Sequence, residues 1–437
     1  MIEVIVAVDK NYGIGNDNKL PWNIPEELKI FKNKTINNVV IFGSKTSKYV
    51  PKLENRIIYS LSRNNPDITI ERIHNFHKNK PEKIFVAGGS KIYKRAFDSG
   101  LVSKIHISII EGTFTCDTFF DKKWLNNFVI VEKTSHEGFT HYVMEYREKG
   151  EQQYLDILQK VLQSPIERNT RNAVVYSGFC EHLSFDLRKG FPLLTTKRMF
   201  WRGVVEELLF FLRGETDSKV LEKKNINIWK GNTSREFLDS LGKVEREEGL
   251  LGPMYGYQFR NYGSKYCEKT GSPLDKGIDQ LEEVIVLIKN DPTSRRILMT
   301  SYNAEQAKEG CLYPCHSLTI QFYVDGEYLD MFCYNRSSDL FLGLPFNIAS
   351  SALLLEIIAK ATGYKARYFN LTLGDVHIYK SHIEPVKKQL TRLPYSFPDL
   401  TIEKEINSLK DIENLEFKDF NIVNYRAYNT IKAEMVA

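Results

Sequence analysis

The pattern of apolar residues changes near residues 147–151, and this change limits the folds that the chain can adopt. Before it, short β-branched runs alternate with helical stretches; after it, the sequence mixes long apolar helices with a hairpin signal. The segment between, Arg147-Glu148-Lys149-Gly150-Glu151, is charged and contains a glycine, which is typical of a domain boundary. We therefore predict two domains, residues 1–148 and 153–437, joined by a short linker at 149–152.

Composition excludes several classes of protein. Hydrophobic residues make up 42% and charged residues 26% of the 437 positions, which is typical of a globular protein and excludes a disordered chain. Length alone predicts about three domains, at about 150 residues each, which is one more than the change in apolar pattern predicts. The net charge of +5 is too small to indicate nucleic acid binding.

Cysteine usage and hydropathy indicate a cytoplasmic protein. The six cysteines include no Cys-x-x-Cys pair, so neither a disulfide framework nor a zinc site is predicted, and no metal is expected. The longest uncharged stretch, Leu340 to Leu355, has sixteen residues, fewer than the roughly 20 that a membrane span needs. The amino terminus shows no secretory signal pattern.

The first half has the pattern of an α/β domain. Because strands and helices alternate, a mostly parallel sheet is predicted. The predicted strands are residues 2–8, 39–42, 57–61, 84–86 and 104–110, and the predicted helices include 25–32 and 90–97.

The second half is mixed and predicts an α+β domain. Trp201 to Leu212 reads as a strongly apolar helix, and Asn347 to Ala361 is apolar almost all round, which indicates a buried helix. Strands at Thr319–Val324 and Glu327–Tyr334 are predicted to pair through an Asp325-Gly326 turn.

Two features of the first half allow both a structural and a functional interpretation. Glu27 lies in the first turn of the helix opened by Pro25, where an acid favours the helix dipole and Glu26 would serve equally. Alternatively, it is an inward carboxylate that holds a cationic heterocycle. Gly88-Gly89, between a strand and a helix, is either a simple turn, which a lone Gly-Gly favours, or a phosphate-binding turn.

Taken together, the motifs of the first half resemble dihydrofolate reductases over residues 1 to about 148. The matching motifs are Gly13-Ile14-Gly15…Leu20-Pro21-Trp22, Pro25-Glu26-Glu27-Leu28…Phe31, Gly43-x-x-Thr46, Arg56 with Leu61-Ser62-Arg63, and Val86-Ala87-Gly88-Gly89…Ile92-Tyr93.

The resemblance implies a role for particular residues. Glu27 would hydrogen-bond the pterin and promote its protonation, Phe31 would flank the ring, and Arg56 would bind the glutamate carboxylate of the folate. NADPH is the implied cofactor, and its binding residues would be Ala7, Gly15, Lys45, Thr46, Arg63, Gly88, Gly89 and Tyr93. Ser44 and Ser47 replace the Arg and Trp usual in the family; Lys45 and Arg63 could substitute for that Arg as cations.

Pro314-Cys315-His316 is the most informative motif of the second half. A lone cysteine is more often an inert buried thiol than a nucleophile. With an Asp325-Gly326 turn, however, residues paired across the strands have numbers that sum to 651, which places Arg336 opposite Cys315. A guanidinium about 5 Å away would lower the thiol pKa, so Cys315 is a candidate nucleophile.

Three other polar features leave alternatives open. Glu207 borders the apolar stripe of its helix and is either a solvated flank or a proton-transfer group with a raised pKa. Arg295-Arg296 is either a surface pair or a two-armed phosphate site. Asn347, within an apolar segment, either caps the following helix or reads a ring such as uracil, which presents N3–H and O4.

The second half resembles thymidylate synthases from about residue 152 to 437. The motifs, in order, are Phe191-Pro192-Leu193-Leu194-Thr195-Thr196-Lys197-Arg198, Glu207-Leu208-Leu209-Phe210-Phe211-Leu212, Ile228-Trp229, Gly252-Pro253-Met254-Tyr255-Gly256, Ser294-Arg295-Arg296-Ile297, Pro314-Cys315-His316, Arg336-Ser337-x-Asp339, Gly343 to Ala349, Gly374-Asp375-x-His377-Ile378-Tyr379, and the tail Ile431 to Ala437.

This resemblance implies a mechanism in which Cys315 adds to C6 of dUMP and C5 attacks the methylene of 5,10-methylenetetrahydrofolate. Glu207, with water and Tyr255, would handle the proton steps. The implied dUMP site comprises Arg171, Arg295, Arg296, Arg336, Ser337, Asn347, His377 and Tyr379, with Asn347 selecting uracil. The implied folate site comprises Trp229, Asp339 and Ala437.

The same resemblance implies a homodimer through the synthase domain, in which Arg295 and Arg296 reach the phosphate of the partner's site. Three departures from the family stand out. Thr170-Arg171-Asn172-Ala173 replaces an Arg-Thr-Gly loop, Asn335 replaces a Gln, and Tyr425-Arg426-Ala427 lacks a proline.

Because the second half would produce dihydrofolate, the substrate of the first, a bifunctional enzyme like known fused reductase–synthases is predicted. One alternative is an active synthase with a weak or non-catalytic reductase-like docking module. Another is a pyrimidine hydroxymethylase on the same fold, which Asn347 disfavours because cytosine would call for a carboxyl group there.

Overall fold

The structure, a computed structural model, describes residues 1–62, 67–147, 150–164, 166–170 and 173–436. The chain divides into two units. The first is Met1–Glu148 together with Leu393–Ser396, and the second is Lys149–Arg392 together with Phe397–Ala437.

The first unit is built on a seven-stranded sheet. Its strands are β1 (Ile2–Val8), β3 (Val39–Gly43), β4 (Ile57–Leu61), β5 (Ile84–Val86), β6 (Val102–Ile110), β8 (Phe128–His136) and β9 (Phe139–Tyr146), in the order β4-β3-β5-β1-β6-β9-β8. A small second sheet pairs β2 (Gly13–Gly15) with β7 (Thr118–Phe119), and the helices are α1 (Pro25–Thr35), α2 (Ile70–His77) and α3 (Ser90–Asp98).

The first five strands of this order run parallel, and β9 and β8 add antiparallel pairs at one edge. Strand β1 is buried along nearly its whole length, as expected for a parallel strand covered on both faces. The α/β prediction is confirmed.

The second unit is an α+β structure, as predicted. Its six-stranded sheet has the order β10-β11-β15-β14-β13-β12. The strands are β10 (Glu167–Asn169), β11 (Val174–Asp186), β12 (Leu298–Thr300), β13 (Thr319–Asp325), β14 (Tyr328–Asp339) and β15 (Lys365–Tyr379), with β16 (Asp399–Ile402) and β17 (Phe420–Val423) forming a separate pair. The helices are α4 (Gln152–Leu162), α5 (Trp201–Leu212), α6 (Lys219–Glu222), α7 (Arg235–Ser240), α8 (Gly256–Asn261), α9 (Gln280–Asn290), α10 (Gly343–Thr362), α11 (Ile383–Leu390) and α12 (Leu409–Glu413).

Helix α10 is the central helix of this unit. It begins at Gly343, four residues before the predicted start, and is buried on most sides by residues of one large apolar core. Among the described residues it is the one helix whose length and composition would suit a membrane span, and 72% of its most apolar window is buried inside the unit.

The hairpin of β13 and β14 differs from the prediction in register. Asp325 pairs with Tyr328 and stays on its strand, so the turn residues are Gly326 and Glu327 and paired numbers sum to 653. Gly326 has a φ of 59°, which suits the first central position of a two-residue turn. Asp325 is held on its strand by a hydrogen bond of 2.8 Å from Arg367.

Candidate active sites

The first unit contains a cavity of about 1570 Å³ at the carboxyl ends of its parallel strands. Its size exceeds the usual range of about 300–1,000 Å³ for a single small ligand, so it can hold two ligands side by side. The cavity brings together most of the reductase residues predicted from sequence: Ala7, Gly15, Glu27, Phe31, Lys45, Thr46, Arg56, Gly88, Gly89 and Tyr93. Arg63 lies outside the described residues.

Glu27 and Glu26, which the sequence did not separate, have different surroundings. Glu27 is buried and lines the cavity, and burial raises its pKa against the opposing effect of a hydrogen bond from Ser108. Glu26 is exposed and forms an ion pair with His136 at 3.0 Å. Glu27 is therefore the carboxylate that can meet a ligand in the cavity.

The Gly88-Gly89 turn has the close contacts that a phosphate cradle needs. A Cβ at Gly89 would lie 3.2 Å from the Thr46 hydroxyl, and Gly89 is the N-cap residue of α3. Tyr93 is buried beside the turn and donates a hydrogen bond of 2.8 Å to the Ile5 carbonyl. These residues fit a dinucleotide whose pyrophosphate lies at the amino terminus of α3.

Arg56 lines the cavity, and its guanidinium N–H groups are held by hydrogen bonds to uncharged oxygen atoms. Its guanidinium donates to the Thr35 hydroxyl at 3.0 Å and to the carbonyls of Glu54 and Lys32 at 2.6 and 2.9 Å. Because no described carboxylate neutralises its charge, Arg56 is suited to bind an anionic group of a ligand.

Two polar residues of this unit were missed from the sequence. Ser108 and His141 are buried and hydrogen-bonded to each other at 3.1 Å, and Ser108 opposes the rise of the Glu27 pKa. The available signal was the alternation of polar His106 and Ser108 with isoleucines along β6, which places both polar side chains on one face of a buried strand.

Cys315 of the second unit lies just before β13, in contact with Tyr255 and Arg336. Its carbonyl accepts hydrogen bonds from the amides of Arg336 and Ser337, at 2.8 and 3.2 Å. The predicted adjacency to Arg336 is therefore present, although the predicted strand register is wrong. Ser317 has a φ of 52°, so the extended backbone is interrupted between Cys315 and β13. This irregularity brings Cys315 opposite Arg336, the pair that the sequence predicted.

The predicted lowering of the Cys315 pKa is wrong for the free site. Burial raises the thiol pKa, and the Tyr255 hydrogen bond and the Arg336 charge oppose this only in part. The Cys315 amide donates a hydrogen bond to the Tyr255 oxygen at 3.3 Å. Because the Tyr255 oxygen is the acceptor in that bond, its own proton can be donated to Cys315 Sγ, which lies 3.4 Å away. Tyr255 is itself buried and stacked on His316, with ring centroids 4.2 Å apart.

Glycine is required at residue 256 to place Tyr255. A Cβ at Gly256 would lie 2.5 Å from the Phe211 carbonyl oxygen, which no side chain can accommodate. This contact brings the start of α8 against α5, the helix that carries Glu207.

Glu207 is a buried carboxyl group, not a solvated flank. Burial raises its pKa to about 7, while a hydrogen bond of 2.9 Å from the Trp229 indole N–H to Oε1 acts in the opposite direction. Of the two alternatives that the sequence left open, the raised pKa is the one that the burial of Glu207 favours. A group with this pKa can both give and take protons near neutral pH. Trp229, predicted to lie against folate, is buried and bonded to Glu207.

Asn347 does not cap a helix, because it is the fifth residue of α10. Its side chain is half-buried, not fully buried as expected, and forms no hydrogen bond with a described residue. Both edges of its amide are therefore available to a ligand.

The remaining predicted nucleotide residues fall into two groups. His377 donates from Nδ1 to the Asp375 carboxylate at 2.9 Å, because an ionised carboxylate can only accept. The His377 ring contacts that of Tyr379, and Ser337 follows Arg336 on β14. Arg295 and Arg296, between α9 and β12, are exposed and form no ion pair with a described residue. Arg171 and Ala437 lie outside the described residues.

Asp339, which is half-buried, and Lys197, which is buried, both bond to the backbone just before α10. Asp339 Oδ1 accepts from the amides of Phe341 and Leu342, at 2.9 and 3.2 Å, which fixes the start of α10. Lys197 donates to the Phe341 carbonyl, and burial lowers its pKa to about 7. Lys197 received no role from the sequence, although its motif was noted.

Glu151 also received no role from the sequence. Its buried carboxylate accepts four hydrogen bonds, from the amides and hydroxyls of Thr195 and Thr196, at 2.5 to 2.9 Å. Glu151 therefore fixes the segment that carries Lys197. Among the described residues, no group of three or more His, Cys, Asp or Glu side chains is arranged to hold a metal ion.

Comparison with known proteins gives matches for both units. Residues 1–148 match the dihydrofolate reductase family and residues 152–437 match the thymidylate synthase family. The chain is 37% identical to the bifunctional dihydrofolate reductase-thymidylate synthase of Paramecium tetraurelia over 99% of this chain and 98% of that protein. Proteins of the same description from Zea mays and Leishmania major are each 35% identical, over 99% of this chain and 96% and 94% of their own lengths.

Proposed function

The chain belongs to the bifunctional dihydrofolate reductase–thymidylate synthase family, and on that premise we propose that Cys315 and Glu27 are the central residues of its two reactions. The enzyme methylates dUMP to dTMP and reduces the dihydrofolate that results. Relatives matched along nearly their full length are described by both activities, and no observation favours a docking module without catalysis.

In the proposed synthase reaction, Cys315 Sγ attacks C6 of dUMP and makes C5 nucleophilic toward the methylene of 5,10-methylenetetrahydrofolate. Tyr255 and Arg336, both beside the thiol, favour the thiolate as it attacks. Glu207 moves protons during the reaction, to which its pKa of about 7 is suited. After methylene transfer, C5 loses its proton and the folate leaves the methylene carbon as tetrahydrofolate. A hydride from tetrahydrofolate then reduces that methylene to a methyl group while Cys315 Sγ leaves C6, which yields dTMP and dihydrofolate.

Different residues would bind the phosphate, the deoxyribose and the uracil of the nucleotide. Arg336 and Ser337, with Arg171, bind the phosphate; His377, oriented by Asp375, and Tyr379 bind the deoxyribose hydroxyl. Asn347 pairs with the uracil edge through its free amide. Asp339, Trp229 and Ala437 contact the folate.

In the proposed reductase reaction, Glu27 binds the pterin from within the cavity and promotes its protonation. Phe31 packs on the ring, and Arg56 binds the glutamate carboxylate of the folate. NADPH, when bound, supplies the hydride. The residues proposed to hold it are Ala7, Gly15, Lys45, Thr46, Arg63, Gly88, Gly89 and Tyr93.

The experiment that tests both activities is a coupled assay. The enzyme is supplied with dUMP, 5,10-methylenetetrahydrofolate and NADPH, and we expect dTMP and tetrahydrofolate to form together. In a parallel reaction dCMP replaces dUMP, and tritium release from C5 should be lost because Asn347 offers no carboxyl group to cytosine. Accumulation of dihydrofolate would contradict the reductase activity, and faster release from dCMP would favour a hydroxymethylase.

We further propose that the enzyme is a homodimer through its second unit. The outer face of the six-stranded sheet carries exposed apolar side chains from three strands, Leu298, Tyr323 and Phe332. Leu298, Gln321 and Phe332 are register partners across three strands, so this face is continuous. Exposed apolar faces of this kind mark interaction surfaces. Arg295 and Arg296 precede β12 at the edge of this sheet.

A mixing experiment tests whether Arg295 and Arg296 act in the partner's site. Cys315→Ser chains and Arg295→Ala/Arg296→Ala chains, each inactive as a synthase alone, are dissociated and reassociated together. If the arginines act across the interface, each mixed dimer has one intact site and the mixture recovers about a quarter of wild-type activity. No recovery, despite mixed dimers detected by native mass spectrometry, would place the arginines in their own subunit's site.

A cytoplasmic location is proposed from the cysteines. All six are unpaired in the structure, and Cys311 and Cys333 are buried. Unpaired thiols in this number are typical of a reducing compartment.

A further inference from the structure

A hydrogen-bonded chain of side chains lies behind Glu27. Strands β6 and β9 pair antiparallel, with Ser108 directly opposite His141. The His141 Nδ1 lies 3.1 Å from the Ser108 hydroxyl oxygen, and both residues are more than nine-tenths buried. Ser108 lies close enough to Glu27 to oppose the rise of its pKa. His141 therefore reaches the cavity residue Glu27 through Ser108, without lining the cavity itself.

The chemistry of the three groups determines the direction of this chain. An ionised carboxylate can only accept, so the Ser108 hydroxyl donates its proton to Glu27. The Ser108 oxygen then accepts, and His141 must carry its proton on Nδ1. The other ring nitrogen, Nε2, is buried and has no hydrogen-bond partner among the described residues, so no competing bond favours the opposite tautomer.

The charged groups around His141 keep it neutral. Burial, together with the positive charges of His106, Lys34 and His136, lowers its pKa to about 4. His106 stacks on the His141 ring at 6.0 Å and lies 2.6 Å from Glu3, which also pairs with Lys83 at 3.0 Å. A neutral His141 has one N–H to donate, and the Ser108 oxygen is the acceptor within its reach.

We propose that His141 is a positioning residue for dihydrofolate reduction, which holds the Ser108 hydroxyl in the orientation that donates to Glu27. This inference rests on the proposed role of Glu27. The Ser108 hydroxyl accepts a hydrogen bond from His141, which polarises it and makes it a stronger donor to Glu27. With His141 present, Ser108 therefore stabilises the ionised form of Glu27 more than it would alone. Without His141, the carboxyl group holds its proton to a higher pH.

The test is the pH dependence of NADPH oxidation by the full-length enzyme with dihydrofolate. A rate that requires protonated Glu27 falls as pH rises through the pKa of that group. His141→Phe keeps a ring but removes the donor, so the midpoint should move to higher pH by about half a unit, a change of about threefold in the protonation equilibrium. His141→Asn, whose amide nitrogen takes the place of Nδ1, should restore the wild-type midpoint.

Two further variants separate this effect from loss of packing. His141→Gln places its amide donor away from the position of Nδ1, so its midpoint should shift as that of His141→Phe does. Because glutamine is polar, this variant also replaces His141→Phe in the test if the phenylalanine variant does not fold. His77→Phe is the matched control, because His77 is equally buried in this unit but bonds to Tyr59 and Glu82. A KM for NADPH close to the wild-type value, measured on the same samples, reports that the first unit of each variant is folded.

An unchanged midpoint in His141→Phe and His141→Gln would overturn the inference, as would an equal shift in His77→Phe. Failure of the underlying proposal looks different. If Glu27→Gln retains the wild-type rate and pH profile, then Glu27 is not the group that titrates, whatever the His141 variants do.

Discussion

Replacing Cys315 with serine is expected to reduce dTMP formation by about 10³-fold or more, because removing the nucleophile of a covalent mechanism typically causes losses of this size or larger. A serine hydroxyl in the same buried site has a much higher pKa than a thiol, and Tyr255 and Arg336 cannot compensate for that difference. Tritium release from C5-labelled dUMP measures the effect directly.

The matched control is Cys311→Ala, which removes another buried thiol of the same unit. Burial raises the pKa of Cys311 to about 12, and its sulfur contacts Met254 and not the nucleotide residues. This variant should retain synthase activity, and both variants should reduce dihydrofolate at the wild-type rate. Substantial tritium release from Cys315→Ser would remove Cys315 from the mechanism.

Glu27→Gln is expected to lower the rate of dihydrofolate reduction at neutral pH by about 10²- to 10⁴-fold, the usual contribution of a positioned proton-transfer group. The loss should be smaller at acidic pH, because protons from solvent then replace the help of the carboxyl group. NADPH oxidation followed across the pH range measures both effects. The synthase reaction of the same protein should be unaffected.

Glu26→Gln provides a control at the adjacent position. Glu26 is exposed and paired with His136, so this substitution should leave the reductase rate and its pH profile unchanged. Equal losses in the two variants would indicate damage to α1 in place of a chemical role for Glu27.

The sequence was sufficient to predict the fold of both units, because long periodic segments and ordered motifs determine them. Helix α5 begins and ends at the predicted residues, and β1 does as well. The β13–β14 hairpin was predicted in the wrong register because turn type, and not composition, decides whether Asp325 or Glu327 occupies the turn. Cys315 still meets Arg336 only because the backbone at Ser317 offsets that error.

The electrostatics of the sites were harder to predict than their composition. The expected fall in the Cys315 pKa assumed an accessible thiol beside a cation, whereas burial has the larger effect. For Glu207 the sequence left a solvated flank and a raised pKa both open, and burial in a helix with ten buried residues favours the raised pKa. Ser108, His141 and Glu151 were missed because their significance lies in contacts between residues far apart in sequence.

The buried carboxylate of Glu151 has a consequence for separating the synthase from the rest of the chain. A fragment that starts at Gln153, or at residue 152 where family similarity begins, would leave out Glu151 and so deprive four donors of Thr195 and Thr196 of their acceptor. A buried donor left unsatisfied costs about 1–3 kcal/mol, so the loss of the acceptor of the Thr196 amide and hydroxyl alone would weaken the segment that carries Lys197. An excision point that keeps these bonds therefore lies before Glu151, and a fragment trimmed to residue 152 would understate what the isolated synthase can do.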